Sequence, residues 1–200
     1  MLHQPPRNPM PLEAFVAKLH IFTREVCEAF FADRIILVEG RTDQAVLEAC
    51  YASKGRNIHA ESIAIVSVDG KTKMDKPAFI FRKLGIPTHI VFDNDAGKPA
   101  GERKPNQLLQ RICGVENPIE FPVGANSDYT AVQGDLESYL QARLGAKYNE
   151  LFEQVVFEFG LNYAEIKKTP AALATLFRKA QEAGISFPLF DEILANTDNL

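Results

Sequence analysis

The chain has 200 residues, 46% of them hydrophobic, which is enough to bury the core of one ordinary domain and excludes a disordered chain as the default. Its formal net charge of −4 excludes a global attraction to nucleic acid, so binding to a polyanion would need a local basic patch or bound metal. The three cysteines are widely spaced, which argues against a disulfide framework or a zinc cluster.

The N-terminal part of the chain predicts a tail, a helix and a buried strand. Residues 1–11 contain four prolines, which disfavour regular structure and indicate a tail or the remnant of a linker. Apolar residues recur at steps of three or four over residues 12–31, so a helix there should bury one side. Residues 35–39, apolar up to Val38, predict a fully buried strand, and Thr42 is placed to cap a helix that continues through Cys50.

The next segments alternate between strand and helix. Residues 63–68 and 88–92 are apolar runs that predict strands, and a helix over about 75–84 stands between them, with Gly85 at its C-terminal stop. After a loop over 96–101, a helix near 104–113 leads to a weak strand candidate at 119–121. This alternation predicts a parallel sheet with crossover helices.

From Asp135 onward the sequence predicts only helices. Their apolar periodicity, the glycine stops and the proline at a first helical turn set the ranges. The expected helices cover residues 135–144, 147–159, 170–183 and 187–195.

Acidic residues stand where two of the apolar runs end. Glu39 ends the first predicted strand, and Asp93 and Asp95 follow the third. In a parallel sheet the carboxyl ends of the strands meet at one edge, where open α/β folds bind ligands. Because carboxylate oxygens are the hard ligands that Mg²⁺ and Mn²⁺ prefer, the pattern predicts a divalent-metal site and phosphodiester chemistry.

Four segments resemble a known family. Residues 37–43 (LVEGRTD) with residues 92–95 (FDND) resemble the Toprim domain, the metal-binding fold shared by topoisomerases of types IA and II, bacterial primases and several nucleases. Residues 67–72 (SVDGKT) and 81–87 (FRKLGIP) are similar, within Toprim, to the OLD (overcoming lysogenization defect) nucleases. The likeness is greater to the bacterial class encoded beside a helicase, class 2, than to the stand-alone class.

The resemblance implies a fold and a domain organisation. The fold would be α/β, with a Rossmann-like parallel sheet flanked by helices and a small C-terminal helical subdomain. We expect residues 1–11 to be a tail, residues 12–144 to be a Toprim domain with an N-terminal helix, and residues 145–200 to be the helical subdomain. In this family an ATPase domain precedes the Toprim domain, so this chain would be the C-terminal nuclease region of a longer protein. A helicase encoded nearby is a further expected partner.

The resemblance also assigns residues to a two-metal site for Mg²⁺ or Mn²⁺. Glu39 is expected to be both a ligand and catalytic, and Lys168 from the helical region is expected to offset charge on the phosphate, with Lys167 as the alternative if the register is shifted by one. Simpler roles remain open: Asp43 as a helix N-terminal charge, Ser67 in a turn, and the later acids as an ordinary helix start. The expected metal ligands are Glu39, Asp43, Asp93, Asp95, Asp135, Glu137 and Ser67.

Two basic clusters, within residues 71–83 and 98–111, supply candidate DNA contacts. Exposed lysine and arginine side chains could bind phosphates without reading sequence. The alternative is that both clusters are solvated helix faces. The expected DNA-binding residues are Lys71, Lys73, Lys98, Arg103 and Lys104.

Other ligands and locations are not expected. Gly70-Lys71-Thr72 matches the end of a phosphate-binding P-loop, but Ile65 stands where its first glycine would be, so no ATP site is expected in this chain. No apolar run approaches the ~20 residues needed to span a bilayer, and no signal-peptide core is present. We therefore expect a cytoplasmic protein without a membrane partner.

Three functions from different classes are compatible with these patterns. The favoured one is a metal-dependent DNA endonuclease or nickase that hydrolyses phosphodiester bonds. A primase-type Toprim is the second, because residues 93–97 (DNDAG) resemble the primase signature, although the chain lacks a zinc ribbon and room for the remaining catalytic half. The third is a non-catalytic Toprim used for DNA binding or assembly, against which the full set of acids argues.

Overall fold

Five strands form one sheet in the part of the chain that the computed structural model describes, residues 22–98 and 103–200. The strand order is β2-β1-β3-β5-β4. Strand β1 pairs in parallel with β2 and β3, β3 pairs in parallel with β5, and β4 is antiparallel to β5. The strands are β1 Arg34–Val38, β2 Ile63–Ser67, β3 Thr88–Asp93, β4 Gly124–Ala125 and β5 Tyr129–Val132.

Helices lie on both faces of this sheet. Two short 3-10 turns, Lys71–Lys73 and Gly145–Lys147, accompany them. Among the described residues the α-helices are α1 Arg24–Ala29, α2 Arg41–Ser53, α3 Asp75–Lys83, α4 Arg103–Ile112, α5 Leu136–Leu144, α6 Tyr148–Phe159, α7 Tyr163–Ile166, α8 Pro170–Glu182 and α9 Pro188–Asp198.

Each face of the sheet has its own apolar core, because successive side chains of a strand point to opposite faces. Ile36 and Val38 of β1 contribute to the core that contains α2 and the helices after residue 135. Ile35 and Leu37 contribute to the other, with α1, α3 and α4. Burial on both faces explains why β1 and β3 are nearly continuous apolar runs rather than alternating ones. The helices after residue 145 thus share a core with the sheet, while the domain boundary there stays a prediction.

The structure confirms the α/β fold with a mostly parallel sheet, and it corrects the predicted fourth strand. Residues 119–121 are not a strand, and the edge of the sheet is instead the β4–β5 hairpin. Side chains of α4 satisfy the backbone of the predicted strand: Gln110 bonds both the N–H and the carbonyl of Ile119, and Asn106 donates to the carbonyl of Glu120. These groups therefore have partners without a strand.

Two helix starts also differ from the predicted ones. Helix α1 begins at Arg24, where the Thr23 hydroxyl accepts from the Val26 N–H, so residues 22 and 23 are not helical although the predicted helix over 12–31 covers them. Residues 12–21 of that range and the tail at 1–11 lie outside the described residues. Helix α2 begins directly after Gly40, so Thr42 lies inside it and is not its cap. The Asp43 carboxylate, which accepts from the Gly40 N–H at 2.8 Å, makes this start possible.

The remaining predicted helices are found within one to three residues of their expected ends, and the short helix α7 is an addition. The Asn162 side chain caps α7, accepting from the N–H groups of Ala164 and Glu165. In residues 22–98 and 103–200 no helix has the length and apolar content to cross a bilayer.

His89 of β3 is a satisfied core residue, as its place on a buried strand predicts. Its side chain is fully buried. With the proton on Nδ1, the ring donates to the Ser127 carbonyl at 3.3 Å and its Nε2 accepts from the Thr130 hydroxyl at 2.8 Å. Burial lowers the pKa of His89 to about 4.

This buried imidazole should make the stability of the protein depend on pH. The unfolded chain binds a proton on His89 below about pH 6.5, whereas the folded chain resists it down to about pH 4, so stability should fall with pH across that window. Between about pH 7.5 and about pH 5, the free energy of unfolding should fall by roughly 2 kcal/mol more in the wild type than in His89→Gln. Urea unfolding at the two pH values measures this difference. Equal losses in the two proteins would contradict this account.

Candidate functional site

Carboxylates collect at the carboxyl edge of the sheet, where β1 and β3 end side by side. In the parallel register Val38 is the partner of Val91, so the residues that follow the two strands are neighbours. The Asp93 N–H donates to Glu39 Oε1 at 3.0 Å, which directly joins the ends of β1 and β3. Ser67, the last residue of β2 and the partner of Val38, lies buried at the same edge. The sheet register therefore brings these three predicted site residues together.

Asp43 reaches this edge from the first turn of α2. Its Oδ2 accepts from the Gly40 N–H, the contact that starts the helix. A Cβ on residue 40 would lie 3.3 Å from that oxygen, so the missing side chain of Gly40 leaves room for the carboxylate. Burial raises the pKa of Asp43 to about 6, against the lowering effect of the Gly40 hydrogen bond. Asp43 thus has the helix N-terminal role that was one of its two predicted alternatives.

Asp93 has the most strongly raised pKa among the carboxylates at this edge. Burial, together with the charges of Asp43, Glu39, Asp95 and Asp135, raises the pKa of Asp93 to about 9. Burial also raises the pKa of Glu39 to about 7, although the positive charge of Lys71 and the Asp93 N–H oppose that rise. These carboxylates are close enough that they cannot all ionise at neutral pH without added positive charge.

Lys71 supplies part of that positive charge from inside the cluster. Its side chain is only 3% exposed, and its Nζ pairs with Asp95 Oδ2 and lies 3.7 Å from Glu39 Oε1. Lys98, whose side chain is 53% exposed, pairs with the other oxygen of Asp95 at 2.5 Å. Lys71 was predicted to contact DNA, but the structure buries it among the acidic groups, which supply the partner that a buried charge needs.

Asn94 holds the acidic loop in shape, and the sequence analysis did not single it out. It is fully buried between the two aspartates. Its side chain donates to the Pro122 carbonyl and accepts from the N–H groups of Ala96 and Gly134, at 2.8–3.0 Å. The N–H of Asp95, whose φ is +52°, donates to the Gly134 carbonyl. An Asn flanked by the two acids of a strand end is the only signal that could have revealed this role.

Asp135 and Glu137 approach the cluster from the start of α5. Asp135 is the N-cap of α5 and accepts from the Ser138 N–H at 2.8 Å. Burial raises the pKa of Asp135, but the Ser138 hydrogen bonds and the charges of Lys98 and Lys167 outweigh it, so its pKa lies below the usual value. The pKa of Glu137 is raised, chiefly by burial. Both acids therefore belong to the same electrostatic neighbourhood as Asp43 and Asp93.

The two candidate lysines after α7 are placed differently. The charge of Lys167 helps to lower the pKa of Asp135 and opposes the rise in the pKa of Glu137. Its Nζ also lies 5.9 Å from the ring centre of Tyr163. Lys168 is exposed. The choice between the two lysines stays a prediction, and Lys167 is the one whose charge acts on the acids at the start of α5.

The chemistry of this donor set suits divalent cations, but the arrangement is not an open cage. Within residues 22–98 and 103–200, no group of three or more His, Cys, Asp or Glu side chains is already arranged to hold an ion. Asp43 uses one oxygen on the helix start, and Asp95 is paired with two lysines. The pKa of Asp93 is raised by burial and by the neighbouring carboxylates, and Mg²⁺ or Mn²⁺ bound there would offset that negative charge.

Four of the five predicted DNA contacts do lie on the surface. Lys73, Lys98 and Lys104 are exposed, and Arg103 is exposed while pairing with Glu120 at 3.1 Å. These side chains come from the turn after β2, from the loop after β3 and from α4. Together they could form a positively charged margin beside the acidic edge.

Comparisons with known proteins agree with the family resemblance. Residues 30–95 match the family "Overcoming lysogenization defect protein-like, TOPRIM domain". The Old nuclease of Escherichia phage P2 is 39% identical over 66 residues, a match that spans 32% of this chain and only 11% of that nuclease. The matched residues include Glu39, Asp43, Asp93 and Asp95, whereas Asp135 and the lysines after α7 lie beyond the family match.

Solved structures extend the likeness in fold to most of the chain. The C-terminal region of the Burkholderia pseudomallei OLD protein superposes with a TM-score of 0.60 at 19% identity, covering 85% of this chain and 98% of that one. The C-terminal region of the Xanthomonas campestris pv. campestris OLD protein gives 0.56 at 18% identity, covering 86% and 95%. The resemblance to the OLD C-terminal region is thus confirmed at the level of fold.

The electrostatic account of Asp93 can be tested without any metal. Because its pKa is about 9 in the fold and about 3.9 when unfolded, the folded state holds the extra proton between those values and loses stability as pH rises through them. In chelator, Asp93→Asn should have a higher melting temperature than the wild type, and this difference should grow from about pH 6 to about pH 9. Each kcal/mol of relieved repulsion corresponds to a difference of about 2–4 °C. Asp33→Asn, an exposed change at the opposite end of β1, should show no such margin.

Proposed function

We propose that this chain is a metal-dependent DNA nuclease module that hydrolyses phosphodiester bonds. The observation that carries the proposal is the gathering of Glu39, Asp43, Asp93 and Asp95 at the carboxyl edge of the sheet, with the pKa of Asp93 raised to about 9. Ordinary folding does not favour such an edge, because repulsion and burial make it costly. The match of residues 30–95 to the OLD-like TOPRIM family supports the same function.

The first expected cation site is formed by Glu39, Asp93 and Asp95. Asp43, Asp135 and Glu137 would hold a second ion. Ser67, at the end of β2, would be a further oxygen ligand at this edge. Two such ions, held roughly 3.5–4 Å apart, would activate the attacking water and stabilise the leaving oxygen. The backbone hydrogen bond from Asp93 to Glu39 and the contacts of Asn94 keep the carboxylates in place before any ion arrives.

Lys167 is proposed as the cationic side chain that contacts the scissile phosphate. Its charge already acts on the pKa of Asp135 and of Glu137, the two acids at the start of α5. A fixed positive group there would stabilise the charge that builds on the phosphate oxygens. Lys168, although it is the residue that the family resemblance assigns, is exposed beside it.

DNA would be held along the exposed basic margin of Lys73, Lys98, Arg103 and Lys104. Contacts of this kind bind phosphates and carry no sequence information. Since the net charge of the chain is negative, this margin and the bound cations would supply the attraction to the polyanion. The match spans only 11% of the Old nuclease. We therefore also propose that an ATPase domain precedes this region in a longer protein and that a helicase encoded nearby is its partner.

The central experiment is cleavage of supercoiled plasmid by the purified chain. We expect conversion to nicked or linear DNA with Mg²⁺ or Mn²⁺ and none in chelator. Mutating a residue that only supports the metal ligands typically lowers activity by roughly 10–100-fold. Asp93→Asn, which changes a proposed ligand, should lower the cleavage rate by more than that. Asp33→Asn makes the same chemical change away from the site and should keep the wild-type rate. DNA binding without metal-dependent cleavage would instead favour the non-catalytic Toprim, and undiminished cleavage by Asp93→Asn would rule out the proposed site.

A second experiment compares the neighbouring lysines. Lys167→Met should slow single-turnover cleavage at saturating Mn²⁺ by roughly 10²–10³-fold, the usual cost of losing one transition-state donor. Lys168→Met, next to it and exposed, should have a much milder effect. A larger loss for Lys168→Met would restore the register that the family resemblance assigns, and no loss for either would remove the helical region from the active site.

A further inference from the structure

Lys71 is an unusual lysine because it is charged, buried and enclosed by acids. Its side chain is 3% exposed, against 6% for Asp95 and 19% for Glu39, its two partners. Lysine is almost never buried unless it is paired. Here the ammonium lies between two carboxylates that are proposed to bind a cation, so it occupies the place where positive charge is needed.

The backbone fixes Lys71 beside Glu39. The Gly70 N–H donates to the Glu39 carbonyl at 2.9 Å, which ties the turn after β2 to the end of β1. Gly70 has a φ of +126°, a conformation that a side chain would disfavour, and Lys71 then begins the 3-10 turn. Since the main chain of residue 71 is held at the site, only the flexible four-carbon side chain can leave it.

A cavity of about 230 Å³ lies next to this side chain and could receive it. Lys71, Thr72 and Asp75 line one side, and Lys104, Pro105, Leu108 and Leu109 of α4 line the other. Its apolar part suits the methylene groups of a lysine, and Asp75 offers a carboxylate for the ammonium. The side chain therefore has a second place to go without any change in the sheet.

The single negative charge of Asp95 cannot balance both Lys71 and a divalent ion. Lys71 and Lys98 already pair with its two oxygens. Lys98 is half-exposed and can move into solvent at little cost, because exposed ion pairs contribute little. Lys71 is buried, so its release requires that its charge be replaced and that it find another position.

We propose that Lys71 is a built-in counter-ion that competes with the divalent metal: it holds Glu39 and Asp95 together in the metal-free protein and withdraws into the neighbouring cavity when the metal binds. This inference rests on the proposed metal-dependent function. It assigns Lys71 a positioning role and sets the metal affinity of the site below that of the same carboxylates without the lysine.

The first measurement is Mn²⁺ binding, followed by the electron paramagnetic resonance of free Mn²⁺ in the absence of DNA. Lys71→Met keeps the length of the side chain and removes its charge. We expect it to bind Mn²⁺ about tenfold more tightly than the wild type, a change of about 1.4 kcal/mol, and to melt at a lower temperature in chelator. Lys83→Met, an exposed change at the end of α3, should bind Mn²⁺ as the wild type does.

The second measurement uses the wild type and so does not depend on the folding of a variant. An amine-acetylating reagent followed by mass spectrometry reports the accessibility of each lysine. Lys71 should be protected in chelator and become several-fold more reactive with saturating Mn²⁺, whereas the reactivity of Lys73 should stay constant. Equal protection of Lys71 in the two conditions would overturn the competition.

The possible outcomes separate this inference from the proposed function. If the wild type binds Mn²⁺ and Lys71→Met binds it equally or more weakly, Lys71 supports the site rather than competing for it, and only this inference fails. If Lys71→Met binds Mn²⁺ and the wild type does not, the competition is supported in its strongest form. If neither protein binds Mn²⁺, the metal-dependent function fails and the inference fails with it.

Discussion

Repulsion among carboxylates at one edge of the sheet is the constraint on which the rest of this structure depends. The parallel register places Glu39 and Asp93 side by side, and the turns beyond them add Asp43 and Asp95. Each positive group nearby acts on this excess of negative charge. Lys71 does so from within, and Lys98 and Lys167 do so from the margin. The helix start of α2 contributes in the same sense, because its free N–H groups favour an anion such as Asp43.

Side chains rather than strands hold the acidic loop in the required shape. Asn94 bonds three backbone groups, and Asn106 donates both to the Asn94 carbonyl and to the Glu120 carbonyl. Buried amides are costly unless they are bonded, and here nearly all of their capacity is used, although Asn106 Oδ1 has no partner among the described residues. This network lets the chain leave extended geometry immediately after β3, so that Asp93 and Asp95 can face one region although they are alternate residues.

Much of the fold could be predicted from the sequence, because it follows from local patterns. The apolar runs of β1 and β3 and the glycine after α3 determine their elements with little help from distant residues. The errors arose where distant side chains replace a local signal. Residues 119–121 resemble a strand, but Gln110 and Asn106 satisfy their backbone. The inward turn of Lys71 was likewise invisible, because a basic cluster in sequence carries no information about which lysine finds a carboxylate across the sheet.

The packing of helices bears on the proposal that Lys167, far along the chain, acts at the same site as Glu39. Helix α2 begins directly beside the acidic edge, and α8 packs along it through the core that both helices share. Lys167 stands in the short connection between α7 and α8, so its position follows that of α8. A substitution that loosened the α2–α8 interface would therefore move the Lys167 ammonium relative to the acids without changing Lys167 or any acid. The apolar core and the charged edge are therefore coupled, because the packing of the core determines where the charged side chains lie.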